Sequence, residues 1–503
     1  MTKRKMQMKP KKVRTTGKAA DGFADGLDGS DLLTRMNEEF CVVERYGNKC
    51  VALTRGADGA WGHVAFEDFA RARNHRSERG PDGHESGPLG TWWLRHKERR
   101  QYKRVDFLPG VADADVPAGT LNLWAGWQMQ AREGDCSKFL EYVHTVVCSG
   151  VEEHSSWLLD WLAHAVQRPM EAPEVAVVLR STGHGTGKTF FAMHVGELFA
   201  PYFAKVSSAD HLVGKFNSTL MNKLMVFGEE AFFAGNHDHK RKLKDLVTGT
   251  SMMIEPKGVD AFSMQKRFRL ILTGNDAQVI AAEAEDRRYF VLEVSDARKN
   301  DRPFFAAIEQ EWRAGGREAF LWFLKTRDIS AFEHRERPRT KALEQQIVLG
   351  LPPEQQAVYG MLAKGGSIFG RGDVTAMFIA PELLALENRL KWDAALPERI
   401  GRELKLIAAG AERRLCGDDC KRRRGWIMPP LPEARKRWMQ AKGLDLPWPN
   451  EQAAWDCDGE LLGSGDTARA ESLEAEALEK RGEQKVREAL AAMAAKEDTG
   501  TLH

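Results

Sequence analysis

The amino-acid sequence predicts an α/β fold built on a parallel sheet, with an α+β region before it and a smaller helical module after it. Three short apolar runs, at 175–180, 223–230 and 269–275, have the composition of strands that are buried on both faces. The first run leads into a segment from Lys188 to about Phe199 that favours a helix. A buried strand followed by a helix is the repeating unit of a parallel sheet, so these runs predict an α/β core.

Length and composition are those of a globular chain of several domains. The 503 residues correspond to about three domains, and the formal net charge of +2 indicates no particular partner. A hydrophobic fraction of 42% and a charged fraction of 29% exclude global disorder. No uncharged apolar run approaches the ~18–20 residues that span a bilayer, so no membrane association is expected. The N-terminus lacks the apolar stretch of a secretory signal and the cysteines are few, which together predict a cytoplasmic protein.

Residues 1–30 are predicted to form a disordered basic tail. Eight of the first eighteen residues are Lys or Arg and none is acidic, and a Gly- and Asp-rich stretch follows. Such a segment cannot bury enough apolar surface to fold alone. A nucleic-acid-binding arm and a solubilising tail are equally compatible with this composition.

Residues 31–170 are predicted to form an α+β and helical collar. The run EFCVVERYGNKCVAL favours a β-hairpin that turns at Gly47, and the polar stretch 71–90 favours a loop. Helices are predicted at 136–148 and 153–167, where apolar residues recur on one face.

The predicted α/β core occupies 171–340 and is followed by two further regions. Residues 345–445 are predicted to form a winged-helix-like domain, because three helical segments precede the hairpin-like run ERRLCGDDCKRRRGWIMPPL. The three helices are expected at 353–364, 380–390 and 397–408. A helical cap without a specific function explains the same pattern equally well. Residues 446–503 are predicted to be a linker and a helical tail, the helix covering 466–496.

The hairpin-like run carries a basic cluster whose role the sequence leaves open. Lys421 to Arg424 are four consecutive basic residues, and Trp426 follows them. Contact with the backbone of a nucleic-acid duplex and a solvated strand end are equally compatible with this cluster.

The strongest functional motif is the segment VAVVLRSTGHGTGKTFFAMHVGELF, in which a buried strand, a Gly-rich turn and a helix follow one another. Glycines let backbone N–H groups surround a phosphate, and the helix N-terminus adds partial positive charge. In this pattern Lys188 reaches the β- and γ-phosphates of ATP, and the Thr189 hydroxyl binds Mg²⁺. The predicted nucleotide-binding residues are Gly183, Gly185, Thr186, Gly187, Lys188 and Thr189.

Polar residues follow the other predicted strands and complete a catalytic set. Glu229 and Glu230 close the second apolar run, and we assign Glu229 to the metal and Glu230 to the attacking water. Asn275 closes the third run, where its amide can contact the γ-phosphate or orient the water. Arg287 and Arg288 precede a further strand, where an arginine finger toward a neighbouring subunit and a solvated or salt-bridged residue are equally compatible with either one.

The order of these motifs resembles the superfamily 3 helicases of viruses and plasmids. More narrowly, the chain is similar to the helicase module of phage primase–polymerases and poxvirus-type primase–helicases. The resemblance covers about 30–445 and includes these segments in order: MNEEFCVV, WLRHKERRQY, NLWAGW, LLDWLAHAVQRP, HLVGKFNSTL, FGEEAFFAG, IEPKGVDAF and DRRYFVLEVSDAR. Three positions depart from the family pattern: Thr182 replaces the first glycine, Glu229 an Asp and Gly274 a Ser. The resemblance implies a P-loop AAA+-like ATPase core between the collar and the winged-helix-like domain.

The resemblance also implies where DNA binds and how subunits assemble. Such helicases carry a hairpin between the Glu pair and the Asn that projects into a central channel, which here is the segment MMIEPKGVDAFSMQKRFRL. Lys257 lies at its expected tip, with Lys266 and Arg267 nearby, and these cations are predicted to hold single-stranded DNA. A homohexameric ring is expected, since the arginine must come from a neighbour. The region before the core is short, so a primase or polymerase is expected to be a separate partner.

The expected function is an ATP-dependent DNA helicase or translocase of phage or mobile-element replication, acting in the host cytoplasm. Two alternatives share these motifs. One is an ATP-dependent loader or switch that remodels a partner without unwinding DNA. The other is a non-hydrolysing DNA-binding scaffold, in which Thr182 and Glu229 mark lost chemistry.

Overall fold

The protein divides into two compact units. The computed structural model describes residues 29–455, except 57–60, 76, 80–84, 173, 215–216, 230–236, 257–259, 285, 366–371, 374–375, 389, 391–394, 417–420 and 452–454. The first unit contains the chain up to Asp106 and Ala112–Ala125, and the second contains Phe107–Val111 and the chain from Gly126 onward. The predicted tail helix lies outside the described residues, as does the predicted basic tail except for its last two residues.

Within its described residues, the first unit combines a mixed sheet with three α-helices. Its strands are β1 (Phe40–Tyr46), β2 (Lys49–Arg55), β3 (Trp61–Val64), β4 (Ser77–Arg79), β5 (Glu85–Pro88), β6 (Gln101–Asp106) and β7 (Thr120–Asn122). Its helices are α1 (Gly29–Glu39), α2 (Phe66–Arg73) and α3 (Leu89–Arg95). The five-stranded sheet has the order β3-β2-β1-β6-β7, and its core gathers the rings of Phe40, Phe69 and Trp93.

The predicted hairpin of the first unit is confirmed, and the predicted loop after it is wrong in part. Strands β1 and β2 pair antiparallel, with Phe40 opposite Thr54. The stretch 71–90 contains the end of α2, the antiparallel pair β4–β5 and the start of α3. These elements are short and rich in polar residues and glycine, so they lack the hydrophobic periodicity from which strands and helices are predicted.

The second unit alternates helices and strands along most of its length. Its helices are α4 (Ser137–Tyr142), α5 (Glu152–Gln167), α6 (Lys188–Leu198), α7 (Ala209–Val213), α8 (His237–Thr248), α9 (Arg302–Glu311), α10 (Arg317–Thr326), α11 (Lys341–Gly350), α12 (Pro353–Lys364), α13 (Pro381–Glu387), α14 (Leu396–Ile407) and α15 (Leu431–Lys442). Its strands are β8 (Ala176–Arg180), β9 (Phe203–Val206), β10 (Met225–Gly228), β11 (Ser251–Ile254), β12 (Phe262–Gln265), β13 (Arg269–Gly274), β14 (Tyr289–Glu293), β15 (Gly372–Asp373), β16 (Ala376–Ile379), β17 (Gly410–Cys416) and β18 (Lys421–Met428).

The predicted parallel sheet is confirmed and forms the centre of the second unit. Its five strands have the order β14-β8-β13-β10-β9, and every neighbouring pair is parallel. All residues of β8, β10 and β13 are buried, which is why these strands are continuous apolar runs in the sequence. Strand β13 lies between β8 and β10, so residues that follow these three strands meet at one edge of the sheet.

The two helices predicted at the end of the collar are present and lie in the second unit. Helix α4 continues into a π-helical turn at Val143–Val147, and α5 follows. Trp161 of α5 is fully buried and its indole donates a hydrogen bond to the Val175 carbonyl, just before β8. Among the helices that the structure describes, none combines the length and the apolarity needed to cross a bilayer.

The C-terminal module places helices beside a small antiparallel sheet. The three helices predicted here are present as α12, α13 and α14, and β17 pairs with β18 as the predicted hairpin. Two further strands, which the sequence did not predict, complete a sheet of order β15-β16-β18-β17. Buried residues of α14 and α15, such as Ile400 and Trp438, belong to the same core cluster as residues of β8 and β13. The assignment to the winged-helix class stays a prediction.

Candidate functional site

The Gly-rich loop, residues 181–187, connects β8 to α6 and has a backbone that only glycines favour at two positions. Gly185 and Gly187 have φ of +77° and +101°, in the left-handed region. A Cβ atom at Gly187 would lie 2.9 Å from the Tyr142 hydroxyl oxygen, and one at Gly185 would collide with the Asn300 amide. The Tyr142 hydroxyl donates a hydrogen bond of 2.8 Å to the Gly187 carbonyl. These contacts fix the loop at the N-terminus of α6.

Lys188, the first residue of α6, is buried and hydrogen-bonded within the loop. Only 6% of the residue is exposed, and its ammonium contacts the hydroxyls of Ser181 and Thr186, the latter at 3.2 Å. It also donates a hydrogen bond of 2.8 Å to the Asn275 Oδ1. Burial lowers the pKa of Lys188, and the carboxylate of Glu293 opposes this shift. The side chain is therefore a positive charge held by neutral oxygens, which suits a phosphate ligand.

Glu229 follows β10 and lies beside the first turn of α6. Its carboxylate accepts a hydrogen bond of 2.9 Å from the Thr189 hydroxyl and contacts the Lys205 ammonium at 2.6 Å. Partial burial acts to raise the pKa of Glu229, but the hydrogen bonds from Lys205 and Thr189 outweigh it and the pKa is lowered. An ionised carboxylate next to a hydroxyl offers the oxygen ligands that Mg²⁺ prefers, so the residues predicted for this metal fit it.

Asn275 follows β13 and connects the two sides of the site. Its Oδ1 accepts from Lys188, while its Nδ2 lies 3.1 Å from the Nδ1 of His184 in the Gly-rich loop. Because β13 lies between β8 and β10, the Asn275 amide lies between the residues that follow those strands. The structure thus brings together Lys188, Thr189, Glu229 and Asn275, which the sequence predicted as one set.

These residues line a cavity of about 500 Å³. Most of its walls come from the Gly-rich loop, α6 and the ends of β10 and β13, and a further wall comes from the segment after β14. The lining residues are His184, Gly185, Thr186, Gly187, Lys188, Thr189, Phe190, Glu229, Thr273, Asn275, Asn300, Arg302 and Phe305. The lining of the cavity combines a cation, a carboxylate and aromatic rings, as a nucleotide site requires.

The segment Lys299–Phe305 contributes to the site and was missed by sequence reasoning. The backbone N–H of Asn300 donates a hydrogen bond of 3.0 Å to the Gly185 carbonyl, and Asn300 itself has φ of +60°. The Lys299 ammonium would lie 2.8 Å from a Cβ atom at Gly183. Arg302 adds a second cation to the cavity wall. The basic and polar run that follows β14 could have predicted this contribution, because the residues after parallel strands meet at one edge of the sheet.

Arg287 and Arg288 lie at the opposite edge of the sheet from the cavity. They precede β14, whose first residue, Tyr289, pairs with Ala176 at the start of β8. Five residues of strand, roughly 16 Å, separate this level from the Gly-rich loop. Arg287 is exposed, whereas Arg288 contacts the buried Asp286 carboxylate at 3.4 Å. Neither arginine reaches the cavity of its own chain, so a role in catalysis requires a second subunit.

The structure argues against two of the three predicted DNA contacts. The strands β11 and β12 form the expected hairpin, with Ile254 opposite Phe262. Lys266 follows β12, but it is only 5% exposed and its ammonium donates to the carbonyls of Leu246 and Val247 at 2.8 and 2.6 Å. Burial lowers the pKa of Lys266 to about 8, with a smaller effect from the nearby Arg269.

The second of these contacts, Arg267, donates a hydrogen bond of 2.6 Å to the Met170 carbonyl. Both side chains are therefore hydrogen-bonded to backbone carbonyls of their own chain, because the run KRFRL passes from the hairpin into the buried strand β13. Lys257, predicted at the hairpin tip, and Glu230, predicted to activate water, lie outside the described residues.

Comparison with solved structures supports the fold, whereas the family model that matches the sequence covers only part of the chain. The model of a family of unknown function, DUF5906, matches residues 179–288, from the end of β8 to the start of β14. No curated protein matches the chain. An apo structure of the NrS-1 C-terminal region, residues 305–718, is 15% identical with a TM-score of 0.55, covering 80% of this chain and 98% of that one. An A-form apo structure of the same region is 14% identical with a TM-score of 0.53, covering 80% and 99%. At this identity the likeness concerns the fold alone.

Proposed function

We propose that the protein is an ATP-dependent motor that moves along single-stranded DNA and unwinds duplexes during the replication of a phage or mobile element. The proposal rests on the sequence resemblance to superfamily 3 helicases and on the residues gathered at the cavity. The fold neighbours support the architecture of such a protein and carry no information on its activity.

The observation that carries the proposal is the arrangement around Lys188. The ammonium is held between the Gly-rich loop and Asn275, and the Thr189 hydroxyl contacts the Glu229 carboxylate at 2.9 Å. A cation, an amide and a metal-ligand pair thus converge on one cavity, at the carboxyl ends of adjacent parallel strands. This is the set that binding and hydrolysis of a nucleoside triphosphate require, as a P-loop AAA+-like core would supply it.

In the proposed mechanism each residue acts on the phosphates, the metal or the attacking water. Lys188 and the N–H groups of the Gly-rich loop bind the β- and γ-phosphates of ATP, and Asn275 orients the γ-phosphate or the attacking water. Thr189 and Glu229 would hold Mg²⁺, which supplies positive charge to the phosphates when bound. Glu230, by its position in the sequence, is assigned to the attacking water.

Subunit assembly follows from the position of the arginines. Since Arg287 is exposed at the edge of the sheet away from its own cavity, it can complete only the site of a neighbouring subunit. We therefore propose a ring, and a hexamer by resemblance. Hydrolysis at successive interfaces would move successive β11–β12 hairpins along one DNA strand, and Lys257, which lies between the two strands in the sequence, is assigned to hold that strand.

The test is ATP hydrolysis by the full chain, with and without single-stranded DNA, together with ATP binding. Hydrolysis that rises with DNA and is lost in Lys188→Ala is expected, because this substitution removes the phosphate-binding cation. Lys223→Ala is the matched control, since the Lys223 ammonium likewise donates a hydrogen bond to a protein oxygen, the Pro201 carbonyl, but Lys223 does not line the cavity. A folded wild-type protein that binds ATP and does not hydrolyse it would refute the motor. Hydrolysis without strand displacement would indicate the loader instead.

A further inference from the structure

The antiparallel hairpin β17–β18 carries three exposed arginines on one face. Arg413 lies directly opposite Arg424 in the register, and Arg422 lies two residues from Arg424 on the same strand. Residues that are opposite each other, or two apart on one strand, point to the same side of a sheet. All three side chains are exposed to solvent. We call this set the arginine stripe.

The outer half of the hairpin is a two-stranded ribbon. Strand β16 pairs with Trp426, Ile427 and Met428 of β18, which anchors the base of the hairpin in the four-stranded sheet. Beyond Trp426, β18 pairs only with β17 among the strands that the structure describes. The arginine stripe therefore lies on a ribbon that extends from a fixed base, with solvent on its basic face.

The arginine stripe is unfavourable for the hairpin itself. Like charges directly opposite each other destabilise a pair of strands. Among the described residues, no carboxylate forms an ion pair with Arg413, Arg422 or Arg424, and the Arg424 guanidinium lies 5.9 Å from the Trp426 ring centre. Three clustered guanidinium groups, none of them in an ion pair with a carboxylate that the structure describes, are thus exposed to an external polyanion.

We propose that the arginine stripe binds the phosphate backbone of a nucleic-acid duplex. Residues two apart on a strand are separated by roughly 6.8 Å, about the axial rise of two nucleotides of one DNA strand. The major groove admits a two-stranded ribbon, and guanidinium groups bind phosphates in bidentate fashion. A duplex fits better than a single strand because Trp426, an aromatic residue on this face, is half-buried at the base, whereas binding of single strands relies on exposed rings on which bases stack.

This surface is separate from the proposed motor, because it needs no nucleotide and uses none of the cavity residues. The experiment measures binding of the full chain to a fluorescently labelled DNA duplex of about 20 base pairs without ATP, over a range of salt concentrations. The variant is Arg413→Ala/Arg422→Ala/Arg424→Ala. The matched control is Arg71→Ala/Arg313→Ala/Arg317→Ala, which removes three exposed arginines that already pair with the nearby carboxylates of Asp68, Glu309 and Glu318.

The stripe variant is expected to bind the duplex at least about tenfold more weakly near 0.1 M salt, and its slope of log affinity on log salt should fall by about 3. The control should lose less than about twofold. Arg413→Lys/Arg422→Lys/Arg424→Lys should retain most of the salt dependence, since the charges remain. A melting temperature no lower than that of the wild type, together with unchanged ATP hydrolysis without DNA, would show that the stripe variant is folded.

Three results would overturn the assignment. One is duplex affinity that the stripe substitutions leave unchanged. Another is an equal or greater loss on a single strand of the same length. A third is an equal loss of binding to polyglutamate or to anionic lipid vesicles, which would show a partner that is an acidic protein or a membrane surface. Lys188→Ala should bind the duplex like the wild type, so the motor and this surface fail or succeed independently.

Discussion

Replacing Asn275 by Ala tests whether this residue, which lies between Lys188 and Glu229 in the site, acts in hydrolysis. Its Oδ1 accepts a hydrogen bond of 2.8 Å from the Lys188 ammonium, and its Nδ2 lies toward His184. A hydrogen bond to a charged group contributes about 1.5–3 kcal/mol. Because the Asn275 side chain is assigned a hydrogen bond of this strength to the γ-phosphate or the attacking water in the transition state, kcat should fall by about tenfold to a hundredfold. The Kd for ATP should change by less than about threefold, because Lys188 and the loop still bind the phosphates.

The assay is steady-state ATP hydrolysis together with equilibrium binding of a fluorescent ATP analogue. Asn74→Ala is the matched control, since Asn74 also accepts a hydrogen bond of 3.0 Å, from the Thr91 amide, but lies in the first unit. Asn275→Asp should instead weaken ATP binding, because a carboxylate beside Lys188 competes with the phosphates for the ammonium. A kcat for Asn275→Ala within twofold of the wild type would refute the assigned role.

Two further predictions concern the subunit interface and a buried charge. Arg287→Ala and Lys188→Ala should each abolish hydrolysis. Mixing the two inactive proteins should restore part of it, because a mixed interface can combine an intact Lys188 from one subunit with an intact Arg287 from its neighbour. A mixture as inactive as its components would contradict a shared site. Burial lowers the pKa of Lys266 from 10.5 to about 8. Between pH 8 and pH 10.5 the unfolded chain therefore binds more protons than the folded one. The free energy of unfolding should rise with pH across that window by up to about 3 kcal/mol. Urea unfolding at pH 8 and pH 10 should show this rise in the wild type and a smaller one in Lys266→Met; equal rises would contradict it.

The local elements of the nucleotide site were predictable because they depend on neighbouring residues. Strands β8, β10 and β13 are buried on both faces, and such strands must be continuous apolar runs. The loop between β8 and α6 needs a left-handed backbone at Gly185 and Gly187, which only glycines adopt without strain. The polar residues that follow these strands can be recognised from the sequence as well, since each apolar run ends at the first polar residue.

The sequence predicted the DNA-binding residues less well, because burial depends on distant parts of the chain. Lys266 and Arg267 are basic residues after a hairpin, a pattern that is typical of a surface contact. Carbonyl groups of Leu246, Val247 and Met170 instead accept their hydrogen bonds, and these lie far from them in the sequence. No local sequence pattern distinguishes a lysine whose ammonium is buried and hydrogen-bonded to backbone carbonyls from one that faces solvent.

The sequence by itself determined the chemistry of the loop, the residues after each strand and the parallel character of the sheet. The tertiary structure decided which of those residues meet. The strand order β14-β8-β13-β10-β9 places Asn275 between Lys188 and Glu229, adds Asn300 and Arg302 from the segment after β14, and leaves Arg287 at the opposite edge. The physical reason is that strand order is set by packing of the whole core, whereas strand and turn formation are set by short-range sterics and hydrophobic periodicity.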